Sequence, residues 1–261
     1  IFGLLPSIIW LLFFLRKDAH PESKGQITKV FLWGMLVSLP VAFVQLGAAE
    51  YFCPQGCTQL NLSTLLYAFL GIAFVEEFFK YLVVDDRVLF GPKILKGTVL
   101  SESEFDEPLD AMLYMIIAAL GFAGLENILY LLSSSRLIEI FILSLLRFAG
   151  AVLLHALCSG SWGYFLALSF FKPKSRVKLF TVGLLIAVTA HGIFNLSLKN
   201  MENSIEITKN LITNESAINI VDFSSFAGSI ILVATILIGL SIFTWQGFRK
   251  LKKMKSICLP H

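Results

Sequence analysis

Glu76, Glu77 and Lys80 stand together in "AFVEEFFKYLVV" (73–84), a stretch that is otherwise apolar. On a helix Glu76 and Lys80 are four residues apart and share a face, so they can pair. Glu77 lies about 100° further round. The spacing predicts one carboxylate balanced by Lys80 and a second left free. A free carboxylate in a dry site can work as a general base near neutral pH. The alternative is a structural ion pair between helices.

Three further stretches carry polar residues inside apolar runs. "GFAGLENILY" (121–130) brings a third carboxylate, Glu126, beside the Asn127 amide. Its small residues Gly121, Ala123 and Gly124 permit close helix approach. "LLHALCSGSWGYF" (153–165) holds His155, with Arg147 two turns upstream and able to meet a carboxylate or a lipid headgroup. "AHGIFNLSL" (190–198) places His191 and Asn195 four apart, on one face. Each signal alone is compatible with interhelical hydrogen bonding. Together they suit amide hydrolysis: Glu76 or Glu77 takes a proton from water, while His155, His191 and Asn195 stabilise the oxyanion. Glu76, Glu126, His155 and His191 are also plausible ligands for a divalent metal such as zinc, with one position left to water. The HExxH pattern is absent, and so is GxSxG. A proton-coupled transporter is the alternative function, because buried Glu and His also relay protons. Against it, no inverted repeat or broken helix pair is visible.

These residues need a scaffold, and the composition specifies it. Of 261 residues 56% are hydrophobic and only 15% charged, with mean hydropathy +0.78. Soluble proteins average about 25% charged residues, so an all-α polytopic membrane bundle is expected. Seven apolar segments are read: 1–15, 30–49, 62–84, 109–132, 148–171, 179–198 and 223–243. The first is short and is taken as the remainder of a span. The stretch 137–146 either lies at the interface or extends the fifth helix. One membrane domain is expected over 1–261, with a site-bearing core at about 62–198 and a basic tail at 244–261.

Orientation follows from Lys and Arg. Loops on one side hold 16 of them and loops on the other hold 4, out of 21 in all. The basic loops and tail are therefore expected in the cytoplasm, with the tail "FRKLKKMK" against anionic headgroups and no nucleic-acid partner implied. "CPQGC" (53–57) then faces outside, where Cys53 and Cys57 are either paired or free thiols. The segment 85–108, with six acidic residues, reads as a solvated loop. These boundaries set Glu76 and Glu77 on the inner half of their span and the other site residues further out. A shared site then requires the third helix to start near Phe69 and run to about Phe90.

The motif order resembles the PrsW family of intramembrane proteases, within the wider group that includes the CAAX prenyl endopeptidases. The likeness rests on EExxK, FxxxEN, a His in the next helix and HxxxN, over about residues 71–198. It implies site-1-type cleavage of single-span substrates, such as membrane-anchored anti-sigma factors, near the outer face. It also implies that Glu76 and Glu77 are catalytic carboxylates, Lys80 their accompanying cation, and His191 and Asn195 an oxyanion pair. Glu126 takes the position of a His in the CAAX enzymes, which leaves glutamate-type and metal-assisted chemistry both open.

Overall fold

A computed structural model of the chain describes residues 2–18, 22–57, 60–85, 107–132, 136–213 and 220–254. Those residues are helical and contain no strand. Lipid offers backbone groups no hydrogen-bond partner, so an apolar chain of this kind must satisfy them within helices. The helices are α1 (Leu5–Leu15), α2 (Lys24–Phe52), α3 (Leu62–Val84), α4 (Pro108–Leu132), α5 (Leu137–Arg147), α6 (Leu153–Phe171), α7 (Arg176–Thr213) and α8 (Ile220–Leu251). Their starts are chemically marked where polar residues are available. The Ser23 hydroxyl accepts from the Gln26 amide at 3.2 Å to cap α2. Asn61 accepts from the Thr64 amide at 2.9 Å to cap α3.

Among the described residues six helical stretches are long and apolar enough to cross a membrane, so the protein is a multi-pass membrane protein. The stretch read as the first of seven spans is α1, with 11 residues, below the roughly 20 that a span needs. It packs along α4, and Trp10 ties it down by donating to the Phe148 carbonyl at 2.9 Å. The 137–146 stretch extends the fifth span: α5 passes through a π-helical segment, Phe148–Val152, directly into α6. The spans at 179–198 and 223–243 are likewise longer than their apolar centres, because helix continues into flanking polar residues. Arg249 and Lys250 of the basic tail lie on the last turn of α8.

Helix α4 is the centre of the bundle. It packs against α1, α2, α3 and α6, and Met112 through Ile117 are buried on every face. Association in lipid relies on packing rather than on hydrophobic drive, which favours small residues at the seams. Gly34 of α2 and Gly121 of α4 form such a seam. A Cβ on Gly34 would fall 2.2 Å from the Ala118 carbonyl oxygen, and one on Gly121 2.0 Å from that of Phe31. The close approach foreseen at Gly121 is therefore made against α2. Helix α6 continues the core, packing on α4, α7 and α8.

The third helix starts at Leu62, capped by Asn61, and not near Phe69. Whether it reaches Phe90 lies outside the described residues, as do most of the acidic 85–108 segment and Cys258. Even so, the site residues meet. Cys53 and Cys57 are joined in a disulfide just past the end of α2.

Candidate active site

Glu76 and Glu77 begin the regular part of α3, immediately after a π-helical segment, Tyr67–Phe74. His155 likewise follows the π segment Phe148–Val152. Such segments are frequent at functional sites, where they re-aim side chains from otherwise regular helices. Here they directly precede the site residues of α3 and α6.

Glu77 is fully buried and fully occupied. It accepts from Ser159 Oγ at 2.6 Å, Lys80 Nζ at 2.7 Å and His191 Nδ1 at 2.9 Å. Three donors around one carboxylate compensate its removal from water. Glu76 differs. Its Oε1 accepts from Gln45 Nε2 of α2 at 2.8 Å. Its Oε2 has only a long contact to Lys80 at 3.5 Å, and faces His155 Nδ1 and His191 Nε2, each at 3.7 Å. The Glu76–Lys80 pair expected from helical spacing is made, but it is long, and the short contact of Lys80 is to Glu77. Lys80 is taken up by Glu77, and Glu76 keeps an oxygen turned to the centre. The i,i+4 argument considered one helix alone, whereas Ser159 and His191 from two others draw Glu77 into the tighter contact.

Lys80 Nζ also lies 2.7 Å from His155 Nδ1 and 4.6 Å from the centroid of Phe122. An ammonium only donates, so Nδ1 must accept, and Nε2 of His155 then carries the proton and donates to Glu126 Oε2 at 3.0 Å. By the same logic His191 Nδ1 donates to the Glu77 carboxylate and leaves Nε2 as a lone pair. Glu126 also receives Arg147 Nη2 at 2.8 Å. Arg147 in addition donates to Asn127 Oδ1, and Asn127 Nδ2 reaches the Gly3 carbonyl at 3.3 Å. Arg147 therefore meets a carboxylate, one of the two partners expected for it.

The three carboxylates, both imidazoles, Lys80, Asn127 and Arg147 are in one connected network. Asn195 is not. It is half-buried, and among the described residues its side chain makes no hydrogen bond. Two members of the site were not singled out from sequence. Gln45 is an amide in an apolar span, which a search for ionisable groups passes over. Ser159 is one helical turn from His155, and that spacing was the available signal.

A metal fits three of these residues. Ligand atoms of Glu76, His155 and His191 all lie within 4.8 Å of one another. Each imidazole directs one nitrogen to that group and hands the other to an outer carboxylate, Glu126 for His155 and Glu77 for His191; the His155 Nδ1 lone pair takes the Lys80 ammonium at 2.7 Å, a contact that an ion bound there would displace. That is the arrangement that fixes tautomer and ring orientation at metal centres. Counting charge, three carboxylates face two cations, Lys80 and Arg147. With neutral imidazoles the interior carries an uncompensated negative charge that a divalent cation would offset. Glu126, expected as a ligand, stands outside this group, because it lies against the other nitrogen of His155 and is held by Arg147.

Comparison with known proteins bears on this geometry. The model of the PrsW family, described as intramembrane metalloproteases, matches residues 22–240, a wider span than the four motifs. The chain is 31% identical over 201 residues to the protease PrsW of Oceanobacillus iheyensis, covering 77% of this chain and 83% of that protein. It is 32% identical over 194 residues to the protease PrsW of Geobacillus kaustophilus, covering 74% and 76%. It is 29% identical over 203 residues to the protease PrsW of Bacillus subtilis, covering 77% and 83%. No solved structure matches the chain.

Proposed function

The chain belongs to the PrsW family of intramembrane metalloproteases, and on that premise we propose that it cleaves single-span membrane proteins at a centre made by Glu76, His155 and His191. Membership in a protease family favours hydrolysis over proton-coupled transport as the use of the buried Glu and His residues. The single observation that carries the reading is the convergence of one carboxylate and two imidazoles from α3, α6 and α7, with both imidazoles backed by further carboxylates.

Glu76, His155 and His191 would hold the ion, which supplies Lewis acidity toward a water and a peptide carbonyl. The chain's own residues do the rest. Glu76 would hold the ion through Oε2, and its Oε1, which has Gln45 as a neutral donor and keeps a second lone pair, receives the proton of the attacking water. As the water oxygen bonds to the carbonyl carbon and the C–N bond breaks, the same proton goes to the leaving nitrogen. Glu77 does not exchange protons in this scheme: it fixes His191 and Lys80. Lys80 sets a positive charge beside the centre, where oxyanion charge develops. Burial of Glu76, Glu77 and Lys80 excludes bulk water and strengthens each of these interactions.

The substrate class proposed is a single-span protein of the anti-sigma-factor kind, cut toward the outer face. The bias of basic residues supports that orientation, with the loops rich in Lys and Arg in the cytoplasm. The Cys53–Cys57 disulfide on the opposite side fits an oxidising exterior. The test is cleavage of a reconstituted single-span substrate by purified enzyme. Glu76→Gln is expected to lower the rate by about 10²–10⁴-fold, the usual worth of a general acid–base group. Wild-type rates in this variant would overturn the assignment.

A further inference from the structure

We propose that Gln45 is a positioning residue that selects which oxygen of Glu76 faces the centre. The proposal rests on the reading of Glu76, His155 and His191 as the hydrolytic centre and gives α2 a part in it.

Gln45 sits in a stretch of α2 turned to lipid: Phe43, Val44 and Leu46 beside it are all exposed. A carboxamide there is costly without a partner. Among the described residues the hydrogen-bond partner of its side chain is Glu76 Oε1 at 2.8 Å, 31 residues away in sequence. The terminal torsion of a Glu side chain is broad and roughly two-fold, so the two oxygens of Glu76 can exchange places unless one is held. Gln45 holds Oε1. Oε2 is thereby the oxygen presented to His155 Nδ1 and His191 Nε2. The donor is neutral, so it orients Glu76 without cancelling its charge. Lys80, the nearby cation, is already bound to Glu77 at 2.7 Å. Without the amide, Glu76 is free to rotate toward Lys80 and to leave the group that a metal would share.

The experiment measures zinc affinity by chelator competition, together with kcat and KM on a single-span substrate, for wild type, Gln45→Leu, Gln45→Asn and Glu76→Gln. Leu suits a lipid-facing helix, and Asn keeps an amide but withdraws it by one methylene. Gln45→Leu is expected to lower zinc affinity and kcat by about 10–100-fold, the range for partners of metal ligands, with KM and thermal stability little changed. Gln45→Asn is expected to move both in the same direction, and it carries the test should the Leu variant misfold. Wild-type zinc affinity and kcat in the folded Gln45 variants, with Glu76→Gln inactive, would overturn the role of Gln45 alone. An active Glu76→Gln enzyme would overturn the underlying reading, and this proposal with it.

Discussion

Glu76 and Glu77 are adjacent in the chain and carry the same group, yet their surroundings give them different tasks. Glu77 has three close donors and is the fixed anion of the proposed scheme, whereas Glu76 has one close donor, Gln45, and a long contact to Lys80 at the oxygen turned inward. Ser159→Ala removes one of the three donors of Glu77. The expected result is a fall in cleavage rate of about 10–100-fold through loosened orientation of His191, read from kcat on the reconstituted substrate with the thermal midpoint as control. The charged members of this site were legible because ionisable groups are rare in apolar spans and costly there. Their pairing was legible in part: the Glu76–Lys80 contact is made at 3.5 Å, but the shorter one is to Glu77. Helical spacing ties Glu76 to Lys80, and no rule of spacing reveals that Ser159 and His191 will crowd Glu77. Neutral Gln45 carried no such warning, and Asn195, which shares a helix face with His191, does not join the network.

Helix α3 shows the same limit at the level of elements. Its start at Leu62 is where hydropathy put it, and the start near Phe69 argued from a common depth is not used. Hydropathy marks the apolar centre of a helix. It does not mark the polar turns that carry α7 back to Arg176 and on to Thr213. The π segments ahead of Glu76 and His155 are equally hidden, since their sequences, "YAFLGIAF" and "FAGAV", are ordinary apolar helix. The close seam between α2 and α4 was half legible, in the small residues around Gly121 but not in Gly34. Gly121→Ala would put a Cβ onto a backbone carbonyl of α2 that cannot swing away. It should destabilise the protein by about 1–3 kcal/mol, the usual cost of overpacking, visible as a lowered thermal midpoint. Because Gln45 rides on the same α2, cleavage should fall with it. An unchanged midpoint would mean that the two helices can separate freely.

At the scale of the molecule, six membrane-length helical stretches among the described residues surround a charged interior, and the proposed orientation is open to direct test. With Cys53 and Cys57 outside, a membrane-impermeant maleimide should label them in intact cells only after an impermeant reductant has opened the disulfide. Labelling confined to inverted vesicles would reverse the topology. The central claim, that Glu76, His155 and His191 together hold a divalent ion, is tested most directly by metal content. Metal per chain should be measured on purified wild type, His155→Ala, His191→Ala and Glu126→Gln. Retention is predicted in wild type and in Glu126→Gln, whose carboxylate backs His155 from outside the group, with loss in both His variants. Metal kept by His191→Ala, or an active wild type that holds none, would contradict it.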